Sequence, residues 1–305
     1  MILMATLTEI LDKIPQEENR VVAVAAAADF EVLEAVHRSL ERNLATFRLF
    51  DDMDKLLNAI RLSHPYLSDH PKIKIHHVPD QLAAAEEAVK SVSKNDSDVL
   101  MKGRIPTAIL MKAVLNPEFG LRTGQVLSHV AAFEIDSFDR LLFVTDAGMN
   151  IKPDLQRKAE IIQNAVAFAR LIGVEKPVVA PLAAIEVINP LMQATMDAAA
   201  LAIMNKRGQI KDCIVDGPLA LDNAISLKAA KQKGISTESA GMADILLVPT
   251  IESGNILYKS LVYFSNAKVG GVIVGAKAPI VLTSRADSAE TKLFSLALAI
   301  RSSSI

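Results

Sequence analysis

Residues 243–255 read ADILLVPTIESGN, and residues 271–285 read GVIVGAKAPIVLTSR. Each segment begins with an apolar run and ends in small polar residues. A short, continuous apolar run predicts a strand that is buried on both faces of a parallel sheet, and such sheets bind ligands at the carboxyl ends of their strands. We therefore predict that two polar turns, Ser253-Gly254-Asn255 and Thr283-Ser284-Arg285, bind an anion through backbone N–H groups, hydroxyls and a guanidinium.

The length and composition of the chain predict two α/β domains. The chain has 305 residues, of which 50% are hydrophobic and only 4% are aromatic. A single core rarely grows beyond about 250 to 300 residues, so we expect two domains with a cleft between them. A core of Ala, Val, Ile and Leu suits parallel sheets that are covered by helices.

Short apolar runs alternate with helical patterns along the chain. Residues 21–25 predict a strand, and residues 31–41 predict a helix because their apolar side chains recur at helical spacing. This alternation predicts doubly wound, mostly parallel sheets. Further strands are predicted at 46–50, 73–78, 99–101, 141–144, 178–181 and 214–215, and further helices at about 81–91, 107–115, 153–172, 191–204 and 289–300.

The polar, turn-like segment 133–140 marks the predicted boundary between the domains. The amphipathic helix predicted at the carboxyl end could return to cover the first domain. The predicted first domain is therefore discontinuous and comprises residues 1–139 and 287–305, while the second comprises residues 140–286.

Charge and cysteine usage exclude several classes of protein. Lys and Arg number 33 against 35 Asp and Glu, a net charge of −2, which argues against a nucleic-acid binder. The single cysteine, Cys213, cannot form a disulfide within the chain and is predicted to be a small core residue. Because the sequence shows neither a secretory signal nor an apolar stretch of about 20 residues, we expect a cytoplasmic protein without membrane or nucleic-acid partners.

Four common nucleotide-binding or catalytic motifs are missing from the sequence. Residues 24–29 lack the glycines of a dinucleotide-binding loop, and Ala276 interrupts the near match of residues 270–277 to a P-loop. No pair among the six histidines has the i, i+4 spacing with a glutamate that zinc hydrolases use. Ile251 stands where the glycine of a nucleophile elbow would precede Ser253. The sequence therefore predicts no nucleotide, metal or serine-hydrolase site.

Lys102-Gly103-Arg104 lies between a predicted strand and a predicted helix that begins at Thr107. The free N–H groups and the dipole of a helix N-terminus attract phosphate, and two cations add to that attraction. A solvated basic turn is the alternative. We interpret the segment as an anion site because it could face the second domain across the cleft.

Polar residues also follow the predicted strands of the second domain. Each one alone could be a helix cap or an Asx turn, but the carboxyl ends of parallel strands gather at one edge of a sheet. As a set they predict a binding edge that comprises Thr145, Asp146, Asp216, Gly217, Glu252, Ser253, Gly254 and Asn255.

Arg285 is the most specific single candidate, because a guanidinium stays protonated and can bind phosphate or carboxylate with two parallel donors. Ser284 adds a hydroxyl beside it. Ser288 and Thr291 follow, and these two could equally cap the last helix.

Together these motifs resemble the phosphate acetyl/butyryltransferase family. The resemblance implies two α/β/α domains with mostly parallel sheets and an interdomain cleft, a homodimer or higher homo-oligomer, and no metal or permanently bound cofactor. It adds Asn150 to the candidate substrate-binding residues. It rests, in chain order, on Lys102-Gly103, Thr145-Asp146-Ala147-Gly148-Met149-Asn150, Asp216-Gly217-Pro218-Leu219, Ser253-Gly254-Asn255-Ile256-Leu257-Tyr258-Lys259 and Thr283-Ser284-Arg285-Ala286-Asp287-Ser288.

The resemblance also implies a reaction, in which a short acyl group moves from coenzyme A to inorganic phosphate by direct attack in a ternary complex. The products would be an acyl phosphate and free coenzyme A. The loop after Thr283 reads SRADS and is more similar to the butyryl branch than to the SRGCS of the acetyl branch, so butanoyl is the expected acyl group. Arg285 and Ser284 would stabilise the negative charge that develops.

The general base does not follow from the resemblance. The acetyl branch has an aspartate a few residues beyond the Ser-Arg pair, and that position is Thr291 in this chain. Asp287 and Glu290 are the candidates that remain. Two alternatives stay open: a phosphate acetyltransferase, and a non-catalytic homologue that binds coenzyme A or acyl phosphate.

Overall fold

The computed structural model describes residues 6–14, 20–235, 237, 239–284 and 287–303. Its described residues fall into two compact units. The first unit comprises Thr8–Gln125 with Gly270–Ile305, and the second comprises Met1–Leu7 with Val126–Val269.

Strands and helices alternate along most of the chain, as the sequence predicts. The strands are β1 Val21–Ala25, β2 Thr46–Asp51, β3 Ile73–His77, β4 Val99–Lys102, β5 Ser128–Glu134, β6 Leu142–Thr145, β7 Val178–Pro181, β8 Ile214–Val215, β9 Ile245–Leu247, β10 Lys268–Val274 and β11 Ile280–Val281. The helices are α1 Leu7–Asp12, α2 Phe30–Glu41, α3 Met53–Ser63, α4 Gln81–Ser93, α5 Thr107–Val114, α6 Leu155–Ile172, α7 Gln193–Lys206, α8 Leu221–Ile225, α9 Leu227–Gln232, α10 Ile251–Phe264 and α11 Ala289–Ser302, with a short 3-10 helix at Pro65–Asp69.

The sheet of the first unit runs in the order β3-β2-β1-β4-β11-β10. All its neighbouring pairs are parallel except β10 and β11. Helix α2 shows why the sequence folds this way, since Asp29 caps its first turn by accepting from the Val32 N–H at 3.2 Å. Its apolar stripe, which includes Leu33 and Val36, is buried, and α11 packs against it within the same unit.

The sheet of the second unit runs in the order β5-β6-β9-β7-β8. Only the β5–β6 pair is antiparallel. Helix α6 begins where the Asp154 carboxylate accepts from the Arg157 N–H at 2.8 Å, and it ends at Gly173, whose φ of 117° favours glycine. The predicted α/β fold class with mostly parallel sheets is confirmed.

The prediction that Ser253-Gly254-Asn255 form a polar turn is wrong. These residues lie in the first turn of α10, where Thr250 and Ser253 form a capping box. The apolar side chains of α10, Leu257 and Leu261 among them, then pack on the core of the second unit. In the sequence, Gly254 favoured a turn. In the structure, the helix cap at Thr250, four residues earlier, outweighs that preference.

The segment 133–140 is only partly a turn. Phe133 and Glu134 belong to β5, and the residues after them make the tight connection from β5 to β6. Because β5 pairs with β6, this segment lies inside the second unit, and the chain crosses between units after Gln125 and again after Val269. The predicted division into domains of residues 1–139 with 287–305 and of residues 140–286 stays a prediction.

Replacing Phe133 with alanine tests this buried position of β5. The ring is fully buried and its centroid lies 5.2 Å from that of Tyr258. We expect the free energy of unfolding, measured by urea denaturation, to fall by about 3–5 kcal/mol. Leu62→Ala, at a position that is 78% exposed, is the control and should change it by less than about 0.5 kcal/mol. Equal stability of the two variants would contradict the assignment.

Candidate functional site

The loop after β4 is fixed by close contact between backbones. Gly103 N–H donates to the Ala25 carbonyl at 2.8 Å, and Arg104 N–H donates to the Ala26 carbonyl at 2.7 Å. A Cβ atom on Gly103 would lie only 2.0 Å from the Ala26 carbonyl oxygen. Only glycine fits here, and the predicted Lys-Gly-Arg loop lies at the carboxyl ends of β1 and β4.

The three polar side chains of this loop differ in exposure. Lys102 is buried, and its Nζ donates to the carbonyls of Gly103 and Ile105, each at 3.3 Å. Arg104 and Thr107 are exposed, with Thr107 as the first residue of α5. The Lys102 ammonium therefore holds the loop, while Arg104 and Thr107 are accessible to a ligand.

The structure brings the Ser284 segment to the same edge of the sheet. Strand β11 is parallel to β4, with Ile280 opposite Leu100 and Val281 opposite Met101. Ser284 thus follows β11 where Lys102 ends β4. Arg285, the sharpest candidate from the sequence, lies outside the described residues.

Two hydrogen bonds join Ser284 and Asp287. Ser284 N–H donates to Asp287 Oδ2 at 2.7 Å, and Asp287 N–H donates to the Ser284 carbonyl at 3.2 Å. Ser288 caps α11 by accepting from the Thr291 N–H at 3.2 Å, which supports the capping alternative for these two residues. Glu290 is exposed in the first turn of α11. Of the two candidate bases, Asp287 therefore already binds a backbone N–H.

In the second unit, Thr145, Asp146 and Asn150 hold the loop after β6. The Thr145 hydroxyl donates to the His129 carbonyl at 2.8 Å. Asp146 is buried; its Oδ1 accepts from the N–H groups of Gly148 and Met149 at 2.9 and 2.8 Å, and its Oδ2 accepts from Asn150 Nδ2 at 2.6 Å. These contacts give the three predicted residues a structural role within the described residues.

The start of α10 packs directly on this loop. A Cβ on Gly254 would lie 2.8 Å from Val248 Cγ2 and 2.9 Å from Ala147 Cα. Glycine at this position therefore lets α10 approach the backbone at Ala147. The sequence motifs at 145–150 and 253–255 meet here, as the common strand edge predicts.

Glu252 and Asn255 are the exposed members of the α10 motif. A hydrogen bond with the Thr250 side chain lowers the pKa of the Glu252 carboxyl, so this side chain stays ionised at neutral pH. Both side chains are accessible to solvent, whereas the Ser253 hydroxyl takes part in the cap by donating to the Thr250 carbonyl at 2.8 Å.

Asp216 and Gly217 follow β8, at one end of the second sheet. Asp216 Oδ2 accepts from the hydroxyls of Thr237 and Ser239 at 2.5 and 2.6 Å. Strands β9 and β7 separate β8 from β6, which at about 4.8 Å per strand puts Asp216 roughly 14 Å from Thr145. The two belong to one edge but to different parts of it.

The sequence analysis missed a cavity of about 490 Å³ in the second unit. At its wall, Lys158 Nζ lies 2.6 Å from Asp197 Oδ2, and Gln193 Nε2 donates to Asp197 Oδ1 at 2.7 Å. Both charged side chains are buried. The sequence signal that could have revealed this pair was a lysine, Lys158, beside the apolar stripe of α6, together with an aspartate, Asp197, in the alanine-rich α7. The cavity is lined by Lys152, Pro153, Asp154, Leu155, Lys158, Gln193, Ala194, Asp197, Pro249 and Thr250.

Three further features of the described residues bear on metal binding, cysteine reactivity and membrane spanning. Within the described ranges, no group of three or more His, Cys, Asp or Glu side chains is arranged to hold a metal ion. Burial raises the pKa of the Cys213 thiol to about 11, so this residue behaves as the predicted core cysteine. Among the described helices, none is long and apolar enough to span a membrane.

These features define an α/β protein with mostly parallel strands, several of which are followed by polar residues. A sequence profile described as "Phosphate acetyl/butaryl transferase" matches residues 73–300. The chain therefore belongs to the phosphate acetyl/butyryltransferase family, as the sequence motifs indicate.

Relatives in this family carry both acyl names. A protein of Bacillus subtilis named "Probable phosphate butyryltransferase" is 55% identical over 96% of this chain and 97% of its own length. A phosphate acetyltransferase of Thermotoga maritima is 47% identical over 95% of this chain and 97% of its own length. A solved structure of a branched-chain phosphotransacylase from Enterococcus faecalis is 37% identical, with a TM-score of 0.81 over 93% of this chain and 99% of that one.

A substitution at Gly254 tests the close packing of α10. Gly254→Ala should lower the free energy of unfolding by about 1–3 kcal/mol, because the added methyl overlaps Val248 and the Ala147 backbone. Asn255→Ala, one residue along and exposed, is the control and should stay within about 0.5 kcal/mol of the wild type. Urea denaturation measures both, and a fully stable Gly254→Ala variant would show that the contact has room to relax.

Proposed function

We propose that this protein transfers a short acyl group, butanoyl, from coenzyme A to inorganic phosphate. Membership of the family and the names of the relatives support the reaction type. The observation that carries the proposal is the placement of the Ser284 turn beside Lys102 at one edge of a parallel sheet. Ser284 and Arg104 are exposed at this edge, and the sequence puts Arg285 next to Ser284.

The chemistry requires a site that tolerates rising negative charge. A phosphate oxygen attacks the thioester carbonyl, the carbonyl oxygen becomes an oxyanion, and coenzyme A leaves as a thiolate. Arg285 binds the phosphate or the oxyanion in this proposal, and the Ser284 hydroxyl donates a hydrogen bond; one well-aimed donor contributes about 10²–10³ in rate. Holding both substrates in a ternary complex adds the gain from proximity.

We propose that coenzyme A, the larger substrate, binds along the carboxyl edge of the second unit. Exposed Glu252 and Asn255 lie there, and the 490 Å³ cavity beside Thr250 has the size of an ordinary ligand pocket. Thr145, Asp146 and Asn150 then act by shaping the loop beneath α10. Asp216 and Gly217 would extend the site along the same edge.

The need for a general base depends on the direction of the reaction. Phosphate is already an anion when it attacks, whereas the coenzyme A thiol must lose a proton in the reverse direction. Glu290 is exposed and free of the turn, while Asp287 binds the Ser284 N–H. We propose Glu290 as the base and Asp287 as the residue that shapes the turn.

An assay of thiol release tests the proposal. With butanoyl-CoA as substrate, purified protein should release free thiol only when phosphate is added. A series of acyl-CoA lengths then separates the butanoyl reaction from the acetyl alternative, which the 47% identical phosphate acetyltransferase favours. One or two methylenes change binding by only about 1–3 kcal/mol, so a graded series is expected. No phosphate-dependent release from any acyl-CoA would refute the proposal.

Arg285→Ala separates an enzyme from a protein that only binds. We expect the rate of thiol release to fall by about 10²-fold or more, because a permanent donor to phosphate is lost. Arg61→Ala, an exposed arginine on α3, is the matched control and should keep the wild-type rate. If the wild type binds coenzyme A in calorimetry but has no turnover for Arg285→Ala to reduce, the non-catalytic alternative is correct.

We also propose that the protein forms a homo-oligomer through α10. Ile256, Tyr263 and Phe264 are 66%, 66% and 87% exposed on this helix, and large apolar groups clustered on a surface mark interaction sites. Phe264→Glu should therefore shift the mass measured by light scattering towards the monomer. Leu62→Glu, at an equally exposed apolar position on α3, should not. A monomeric wild type would contradict the proposal.

A further inference from the structure

Lys292 is a buried cation that the reaction described above does not use. It lies near the start of α11 and only 3% of it is exposed. Its ammonium group donates to the backbone carbonyl of Asp287. In the part of the chain that the structure describes, no carboxylate forms an ion pair with it.

Stability does not explain a lysine at this position. Removing an ammonium group from water costs much more than one hydrogen bond to a carbonyl returns. The position near the amino end of α11 adds to the cost, because the helix dipole is positive there and repels a cation. The neighbouring residues of α11, Leu293 and Leu296 among them, are buried and apolar, so an apolar side chain would suit the same position.

A chain of contacts links this ammonium to Ser284. Lys292 holds the carbonyl of Asp287, and the Asp287 carboxylate accepts from the Ser284 N–H at 2.7 Å. The Asp287 N–H closes the turn on the Ser284 carbonyl at 3.2 Å. Ser284 comes shortly after β11, which ends at Val281, and Lys292 holds Asp287, the residue on the other side of these contacts.

We propose that Lys292 is a positioning residue for acyl transfer, whose buried ammonium holds Asp287, and through it Ser284, in the working position. This inference rests on the proposed function. The action of Lys292 passes through Asp287 to Ser284. A misplacement of about 1 Å in such a turn can cost about 10²-fold in rate.

Lys292→Met tests the proposal, because methionine keeps the length of the side chain and removes the charge. We expect kcat for butanoyl-CoA and phosphate to fall by about 10- to 100-fold. The KM for butanoyl-CoA should change less than twofold, and the midpoint of urea unfolding should stay unchanged or rise. Lys292→Arg keeps both donor and charge and should retain more kcat than Lys292→Met.

Lys277→Met is the matched control. Lys277 lies in the same unit and its ammonium also donates to a backbone carbonyl, that of Ser93, but the residue is exposed. Its replacement should leave kcat unchanged. The comparison therefore separates a buried ammonium that shapes the turn from an ordinary surface contact.

Two results would overturn the inference while the proposed function stands. The first is a Lys292→Met variant with wild-type kcat. The second is a loss of kcat accompanied by a lower unfolding midpoint and equal in Lys292→Met and Lys292→Arg, which would show a purely structural role. A wild type without phosphate-dependent thiol release would instead refute the proposed function, and the inference with it.

Discussion

The parallel pairing of β11 with β4 is the contact on which the candidate site of the first unit depends. It joins two segments separated by about 180 residues, and its register sets Val281 opposite Met101. Since parallel strands end at the same edge, the residues after Val281 and after Met101 must emerge together. This register is what brings the segments that carry Lys102 and Ser284 to the same edge, and any slip in it would carry Ser284 away from the Lys102 loop.

Two glycines let backbones approach each other closely enough for these loops to form. The Gly103 N–H donates to the Ala25 carbonyl, and Gly254 lets α10 contact the loop at Ala147. A Cβ on Gly103 would meet main-chain atoms, and a Cβ on Gly254 would meet both the Val248 side chain and the backbone at Asp146 and Ala147. The motifs that identify the family thus contain residues suited to bind substrates and also glycines whose positions have no room for a side chain. A sequence pattern alone does not distinguish the two kinds of residue.

Much of the fold could be predicted from the sequence because its signals are local. Capping aspartates such as Asp154 and buried stripes such as that of α2 define helices without reference to the rest of the chain. The first turn of α10 was misread because Ser253-Gly254-Asn255 carries a strong turn preference, and the capping box with Thr250 is visible only when the helix after it is considered. Strand β5 was missed because its antiparallel partner, β6, supplies the pairing that fixes it.

The site was predicted as a set of residues, and the structure divides that set by what each side chain already binds. Asp146 and Asp287 were candidate ligand or base residues on chemistry alone, yet backbone N–H groups donate to oxygens of both carboxylates.

The burial of Lys158 and Lys292 could not be predicted from the sequence, because the apolar patterns of their helices give no sign of it. Buried charges therefore depend on tertiary contacts that spacing does not encode. Lys158 is neutralised by Asp197 at 2.6 Å, whereas Lys292 meets only a carbonyl among the described residues. A buried ammonium whose contact is a backbone carbonyl acts on the conformation of the chain, and here that carbonyl belongs to Asp287, whose carboxylate binds the Ser284 N–H.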